Sequence, residues 1–196
     1  MAFLSKDFEI EKTDSNSDNY MRFEEGENRL RILTDAIEGY EYWLDSDGNI
    51  VPRNDKAGKG GKPVRRRTMA DVAKESIEAQ YDTRQFIAFV VWNYAKGRMQ
   101  ILEIKQKTIM QKLVGWSRNE DWKDLTAYDI IIKRDDSGDF TQYEVDNTLP
   151  KEFTEDISGL SKVKLEALYD NGDPFEDLTD MNENITDKEI DEIFPK

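Results

Sequence analysis

The chain has 196 residues, 37% of them hydrophobic, and a formal net charge of −14 at pH 7. This length predicts one domain with polar ends. Since the chain contains no cysteine and no histidine, we exclude a disulfide framework, Cys/His zinc sites, thiol chemistry and a histidine general base. No apolar run approaches the roughly 20 residues that span a bilayer, so we expect a cytoplasmic protein without a membrane partner.

The first strand is predicted after a flexible N-terminal arm, residues 1–19, whose end is rich in Ser, Asn and Asp. Arg29-Leu30-Arg31-Ile32-Leu33 alternates charged and apolar residues with the period-2 pattern of a half-buried strand. Residues 37–44 continue in extended form. A turn over residues 45–49 then leads into Ile50-Val51-Pro52.

A basic island, Arg53 to Arg67, follows this turn with seven cations and one carboxylate. Its glycines, its proline and its like charges predict a mobile basic loop over residues 53–64. Thr68 is a favourable N-cap, and the apolar spacing after it predicts a short amphipathic helix over residues 69–80.

The most apolar and aromatic strand pattern of the chain covers residues 85–94. A turn over residues 95–98 leads back into residues 99–104, which predicts a hairpin. A helix is predicted to begin at Thr108 and to end near Gly115.

A second hairpin and a last helix complete the predicted domain, residues 20–169. The hairpin joins residues 128–134 to residues 140–145, and the helix covers residues 159–169. The remaining residues, 170–196, hold ten carboxylates and two lysines, which predicts an acidic, disordered tail.

If residues 35–84 are counted as one elaborated loop, the elements follow the order β-β-β-α-β-β. This is the order of an OB-fold barrel. We therefore predict a mainly β chain with accessory helices, built as a single five-stranded OB-fold with a long insertion between strands 1 and 2. OB-folds bind oligonucleotides on the face of strands 2 and 3, beside the loops that join strands 1–2 and 4–5.

The predicted positions supply both components of a site for single-stranded nucleic acid, because cations contact phosphates and flat side chains stack on bases. The candidate cations are Arg29, Arg31, Arg53, Lys59, Lys62, Arg65, Arg66, Arg67, Lys133 and Arg134. The candidate stacking residues are Tyr40, Tyr42, Trp43, Trp92 and Tyr94. On residues 86–94 both faces are apolar or aromatic, and the pattern leaves open which face is inside.

Structural alternatives compete with this interpretation. A segment rich in Gly and Lys is often only a solvated loop, and most aromatic side chains of a small barrel belong to its core. No phosphate-loop spacing is present, and no pair of carboxylates stands out by its spacing. We therefore predict no enzymatic activity, no cofactor and no metal site.

Several ordered blocks resemble a family of tailed-phage single-stranded-DNA-binding proteins. The blocks are MRFEEGENRLRIL at 21–33, GYEYW at 39–43, FIAFVVWNY at 86–94, QILEIKQKTI at 100–109, YDI at 128–130 and YEV at 143–145. The resemblance covers roughly residues 20–170. It implies an OB-fold protein of phage replication or recombination that coats single strands with little sequence preference.

The end of the chain is similar to the acidic tail of bacterial single-strand-binding proteins, which ends in Asp-Asp-Asp-Ile-Pro-Phe and docks replication partners. Here the tail ends in Asp191-Glu192-Ile193-Phe194-Pro195-Lys196, with Phe and Pro exchanged and a lysine added. We expect Ile193 and Phe194 to contact replication or recombination proteins of the phage or its host.

The sequence thus predicts a non-enzymatic, sequence-tolerant binder of single-stranded DNA whose acidic tail competes with DNA and recruits partners. The alternative is an acidic DNA mimic, or an interaction protein that does not bind DNA. The net charge of −14 fits that alternative, whereas the concentrated positive charge of the island does not.

Overall fold

The strands and helices come from a computed structural model, which describes residues 19–52 and 61–176. The strands are β1 (Gly26–Ile32), β2 (Ile37–Leu44), β3 (Ile50–Val51), β4 (Lys62–Arg66), β5 (Arg84–Asn93), β6 (Arg98–Ile104), β7 (Asp129–Asp135) and β8 (Gln142–Asn147). The helices are α1 (Met69–Glu75), α2 (Ala79–Asp82) and α3 (Lys107–Ser117). The predicted mainly β class with accessory helices is confirmed. None of the helices described is long and apolar enough to cross a bilayer.

The strands pair antiparallel in one sheet, with β1 between β5 and β7. Leu30 of β1 lies opposite Asn93 of β5 and opposite Ile130 of β7. β2 pairs with the first half of β5 and β1 with its second half, while β6 pairs along its other edge. β3 and β4 extend the sheet from β2, and β8 extends it from β7. Within the described residues no pairing joins β6 to β8, so the sheet is open.

Both faces of β5 are buried, which answers the question that its sequence leaves open. Phe89 and Val91 point to a core that includes the helix α3. The alternate residues, including Phe86 and Val90, point to a second core under residues 160–175. The sequence of β5 is therefore a continuous apolar run, because each face of the strand packs against its own core.

The predicted insertion between strands 1 and 2 is more than a loop. Ile37–Leu44 forms a full strand that pairs with both β4 and β5. The described residues consequently contain eight strands, where the sequence predicts five and an elaborated loop. Gly39 permits a close approach of β2 and β4, because a Cβ at this position would lie 2.5 Å from the carbonyl oxygen of Arg66.

The prediction of a mobile basic loop over residues 53–64 is wrong at its C-terminal end. Residues 62–64 belong to β4 and pair with β2. The physical reason is Val64, whose side chain is buried against Tyr42 and Val72 although the segment around it is rich in cations. Residues 53–60 lie outside the described part of the chain.

The helix predicted over residues 69–80 is interrupted. Thr68 caps α1 as predicted, since its side-chain oxygen accepts a hydrogen bond from the Asp71 N–H at 3.2 Å. The helix ends at Glu75 because Ser76 is extended, and a short second helix, α2, follows. There the Ser76 hydroxyl oxygen accepts a hydrogen bond from the Ala79 N–H at 3.3 Å.

The helix predicted over residues 159–169 is wrong. Two 3₁₀ helices, Leu160–Lys162 and Leu165–Asp170, replace it, with an extended Val163 between them. On one α-helix Leu160 and Val163 would point in a different direction from Leu165 and Leu168. The break at Val163 lets all four side chains contact the sheet. The packing continues to the buried Phe175, past the predicted domain boundary at Tyr169.

The two predicted terminal segments fall mainly outside the described residues, which exclude 1–18 and 177–196. The predictions of a flexible arm over residues 1–19 and of a disordered tail over residues 170–196 therefore stay predictions there. Of the tail, only its first residues, up to Glu176, are described.

Candidate nucleic-acid interface

A buried carboxylate organises the cations of β1. Arg29 and Arg31 both point away from the core that holds Leu30 and Ile32, because successive side chains of a strand alternate. Asp129 of β7 lies directly opposite Arg31 and is fully buried. The outward face of these central strands is therefore polar where β1 and β7 meet.

The Asp129 carboxylate binds four side chains, and we call them together with Asp129 the Asp129 cluster. The donors are Arg29 Nε and Arg31 Nε at 2.8 Å, Lys151 Nζ at 2.8 Å and the Tyr94 hydroxyl at 2.9 Å. Three cations share one carboxylate, which gives the cluster a net charge of +2. The excess positive charge lies at the surface of the sheet beside an aromatic ring.

The protonation states in the cluster are fixed by its contacts. Burial acts to raise the pKa of Asp129, but the bonds from Lys151, Arg29, Arg31 and Tyr94 outweigh it and lower this pKa to about 2. Burial and the hydrogen bond to Asp129 raise the pKa of Tyr94 to about 12. At neutral pH the carboxylate is ionised and the tyrosine is a neutral donor.

Two cations of the cluster reach solvent. The side chains of Arg29 and Lys151 are 43% and 42% exposed, whereas that of Arg31 is 1% exposed. The Arg29 guanidinium carbon lies 4.8 Å from the centroid of the Tyr94 ring, and Lys151 Nζ lies 5.5 Å from the same centroid. Two partly exposed cations, Arg29 and Lys151, thus lie beside the half-exposed ring of Tyr94.

Trp92, an aromatic residue of β5, lies next to the cluster but is covered. Trp92 is opposite Arg31 in the register and is buried. The ring of Phe153 stands edge-on to it, with 6.0 Å between the ring centroids. The Arg31 guanidinium carbon lies 5.4 Å from the centroid of Phe153. In this conformation Trp92 offers no free face for stacking.

The arginines of β4 and its end, Arg65, Arg66 and Arg67, lie in a different environment, and we call them the β4 arginines. Arg65 is buried, with Nε 3.1 Å from Glu41 and Nη2 2.9 Å from Glu103. Lys105 Nζ joins the same two carboxylates, at 2.5 Å from Glu41 and 2.8 Å from Glu103.

This network shifts the pKa of its two glutamates in opposite directions. Burial raises the pKa of Glu41. Burial also opposes ionisation of Glu103, but Lys105 and Arg65 outweigh it and lower the pKa of that carboxyl. The four side chains carry two positive and two negative charges when all are ionised.

The other two β4 arginines also have glutamate partners. Arg66 Nη2 lies 2.6 Å from Glu75, which also accepts the Tyr42 hydroxyl at 2.9 Å. Arg67 pairs with Glu166, and its guanidinium carbon lies 4.5 Å from the centroid of Tyr169. The positive charge of the sequence Arg65-Arg66-Arg67 is therefore matched residue by residue after folding.

Of the aromatic candidates near the island, Tyr42 is buried with Val64, Val72 and Ala79. Tyr40 is half-buried against the same group. Trp43 is half-buried as well, and its Nε1 donates to Glu41 at 2.8 Å. Lys105 Nζ lies 5.9 Å from the centroid of Trp43. Trp43 and Tyr40 retain part of their surface for a ligand, and Tyr42 does not.

The remaining predicted cations are dispersed. Lys62 is exposed opposite Leu44 of β2. Lys133 is exposed on β7 between Glu27 and Glu144 of the neighbouring strands. Arg134 binds Asp136 through Nη2 at 2.8 Å. The structure thus brings Arg29, Arg31 and Tyr94 together, with Trp92 beside them, but does not join them to the β4 arginines.

Four predicted contact residues, Arg53, Lys59, Ile193 and Phe194, lie outside the described residues. Conversely, Asp129, Lys151 and Phe153 were missed by sequence reasoning. An available signal was the lone aspartate at the start of the apolar run Ile130-Ile131-Ile132, because a charge at a buried strand position requires partners. Lys151 and Phe153 lie in an irregular segment after Pro150, where no periodicity indicates a direction.

Comparisons of the chain with protein-family models, with curated proteins and with solved structures gave no match. The resemblance of the sequence blocks to phage proteins therefore stays a prediction.

Proposed function

We propose that the chain is a non-enzymatic, sequence-tolerant single-stranded DNA-binding protein of phage replication or recombination. The observation that carries the proposal is the Asp129 cluster, in which three cations share one carboxylate beside the half-exposed ring of Tyr94. Cations that follow phosphates and rings that stack on bases are the two requirements for binding single strands without sequence readout. Arg29 and Lys151 would contact phosphates, and Tyr94 would stack on a base.

The strand connectivity supports an OB-fold for this function. Without β2–β4, α1 and α2, the order is β1, β5, β6, α3, β7, β8. In this set β1 pairs with the second strand, β5, and with the fourth strand, β7. β5 forms a hairpin with β6, and β7 forms a hairpin with β8. A five-stranded Greek-key barrel that is partly open has this arrangement.

The acidic tail supports a role in regulation and recruitment. Its ten carboxylates and two lysines over residues 170–196 resemble a segment of polyanion, so the tail would compete with DNA for the exposed cations at low salt. Once DNA displaces the tail, Ile193 and Phe194 at its end become available to a replication or recombination partner.

A salt titration of DNA binding tests this proposal. We would measure oligo-dT affinity from low to high salt for the full chain and for a chain that ends at Glu176, which keeps the buried Phe175. The truncated chain is expected to bind more tightly, most clearly at low salt. For each phosphate neutralised, log K should fall with log salt with a slope of roughly −0.7. If neither chain binds oligo-dT at low salt, the proposal is wrong.

The alternative function is an acidic DNA mimic or interaction protein, and one observation favours it. Each β4 arginine has a glutamate partner, so this part of the basic island carries no excess positive charge. Under this alternative the full chain would not bind oligo-dT and would inhibit a DNA-binding enzyme in competition with DNA.

A further inference from the structure

The outward face of β1 and β5 repeats one arrangement twice. Arg31 lies opposite Trp92 in the strand register. Two residues further along, the Tyr94 N–H donates to the Arg29 carbonyl oxygen at 3.4 Å, which places Tyr94 beside Arg29. Residues two apart on a strand share a face and are separated by about 6.6 Å. The sheet therefore carries two neighbouring aromatic–arginine pairs.

One carboxylate holds the arginines of both pairs. Asp129 Oδ2 accepts Arg29 Nε, and Asp129 Oδ1 accepts Arg31 Nε, both at 2.8 Å. The two guanidiniums are thus fixed in the same way relative to the sheet. What differs between the pairs is their exposure, since the Tyr94–Arg29 pair reaches solvent and the Trp92–Arg31 pair is buried.

The cover of the buried pair is the ring of Phe153. It contacts Trp92 edge-on at 6.0 Å and lies 5.4 Å from the Arg31 guanidinium carbon. A nucleobase makes the same two kinds of contact, with an aromatic ring and with a guanidinium. Phe153 is only half-buried and lies in residues 148–158, which contain no helix or strand.

We propose that Phe153 occupies a second base-binding position, which a base of single-stranded DNA takes over by displacing the phenylalanine ring. The inference rests on the proposed DNA-binding function and assigns a new subsite to it, formed by Trp92 and Arg31. A strand bound at Tyr94 and Arg29 would place its next base over Trp92, while Phe153 moves out toward solvent.

The neighbouring contacts determine how far such a movement extends. Lys151 is anchored on the N-terminal side of Phe153, because its N–H donates to the Ala127 carbonyl and its own carbonyl accepts Arg31 Nη1 at 3.2 Å. On the other side, Leu168 and Phe175 are buried in the second core. The displacement is therefore confined to the short segment around Phe153, and the cover formed by residues 160–175 stays in place.

The test compares Phe153→Ala with the matched control Phe140→Ala, a phenylalanine that is 83% exposed in the connection between β7 and β8. Removing the competing ring is expected to tighten oligo-dT binding about three- to tenfold, since edge-on ring contacts and cation–π contacts are each of this size. The slope of affinity against salt should not change, because no charge is altered. The control variant should bind as the wild type does. Equal or weaker binding by a folded Phe153→Ala protein would overturn the inference.

A second measurement avoids any change in packing. In protein labelled with fluorophenylalanine, the ¹⁹F resonance of Phe153, assigned by its loss in Phe153→Ala, should shift toward the position of an exposed ring when oligo-dT is added. A resonance that keeps its position at saturating oligo-dT would also overturn the subsite. Failure of the wild type to bind oligo-dT would instead reject the proposed function itself, so the two outcomes are distinguishable.

Discussion

Two regions of the described residues contain clustered cations, and their acidic partners differ in number. In the Asp129 cluster three cations share one carboxylate, which leaves a net charge of +2. Around the β4 arginines, three arginines and Lys105 contact four glutamates, namely Glu41, Glu75, Glu103 and Glu166, which leaves no net charge. The segment that is more basic in the sequence is therefore the less basic one after folding.

This difference shows that a run of cations in a sequence indicates a binding site for anions only when the acidic partners of those cations in the folded protein are known. The glutamates that neutralise the β4 arginines come from four other elements, namely β2, α1, β6 and the last 3₁₀ helix, and only Glu75 lies within ten residues of its arginine. Conversely, Arg29 and Arg31 look like ordinary alternating strand residues. They form an excess of positive charge because Lys151 joins them at the same carboxylate.

The largest expected effect is on stability, from Asp129→Asn. This change leaves the buried guanidinium of Arg31 without its ionic partner, and removing one member of a buried pair costs about 3–5 kcal/mol. Urea unfolding of the variant and of the control Asp139→Asn, which changes an exposed acid, would measure the free energy of unfolding. A loss below about 1 kcal/mol would show that Asp129 does not organise the cluster.

The pH dependence of unfolding is the next largest effect. Because the pKa of Asp129 is about 2 in the folded protein and near 3.8 ordinarily, the folded state holds this proton more weakly than the unfolded chain. Its contribution of about 2 kcal/mol is thus complete above about pH 5 and is lost as the pH falls toward 2. Glu41, with its raised pKa, acts in the opposite sense, since its protonation favours the folded state. Unfolding curves between pH 5 and pH 2 should show that the free energy of unfolding falls more steeply with decreasing pH in the wild type than in Asp129→Asn.

Of the two regions, the Asp129 cluster should contribute more to DNA binding, which the double variant Arg29→Ala/Lys151→Ala tests. Both side chains are partly exposed, and each would neutralise a phosphate. We expect affinity for oligo-dT to fall about tenfold at low salt and the salt slope to become shallower by about 1.4. Fluorescence anisotropy over a salt series measures both quantities. An unchanged slope would remove the cluster from the binding surface.

The smallest effect on DNA binding is expected for the double variant Arg66→Ala/Arg67→Ala. It removes two positive charges, as many as Arg29→Ala/Lys151→Ala does. These arginines already contact Glu75 and Glu166, so their loss should weaken oligo-dT binding less than about threefold. The same anisotropy series provides the comparison. If this variant loses as much affinity as Arg29→Ala/Lys151→Ala, the paired arginines exchange their glutamates for phosphates, and the contrast between the regions disappears.

The sequence predicted the parts of the fold in which one local pattern decides the structure. The alternation at Arg29–Leu33 and the apolar strand with its turn at 95–98 gave β1 and the β5–β6 hairpin close to their observed bounds. The β4 strand was missed because Val64 is its only buried apolar residue among cations, and a charge run is typical of a loop. The covers of the outward face could not be predicted, because Phe153 and Phe175 lie in segments without periodicity.

The position of β1 in the sheet has a consequence for how the chain folds. Both of its neighbours, β5 and β7, follow it in the sequence, and Leu30 pairs with Asn93 across an intervening segment of more than sixty residues. Closing so long a loop costs entropy before any contact compensates for it, and such non-local pairing slows folding to the millisecond-to-second range. During synthesis from the N-terminus, Leu30 and Ile32 have no completed sheet to join until β7 has left the ribosome. The first strand of the described chain to be made is thus among the last to be completed.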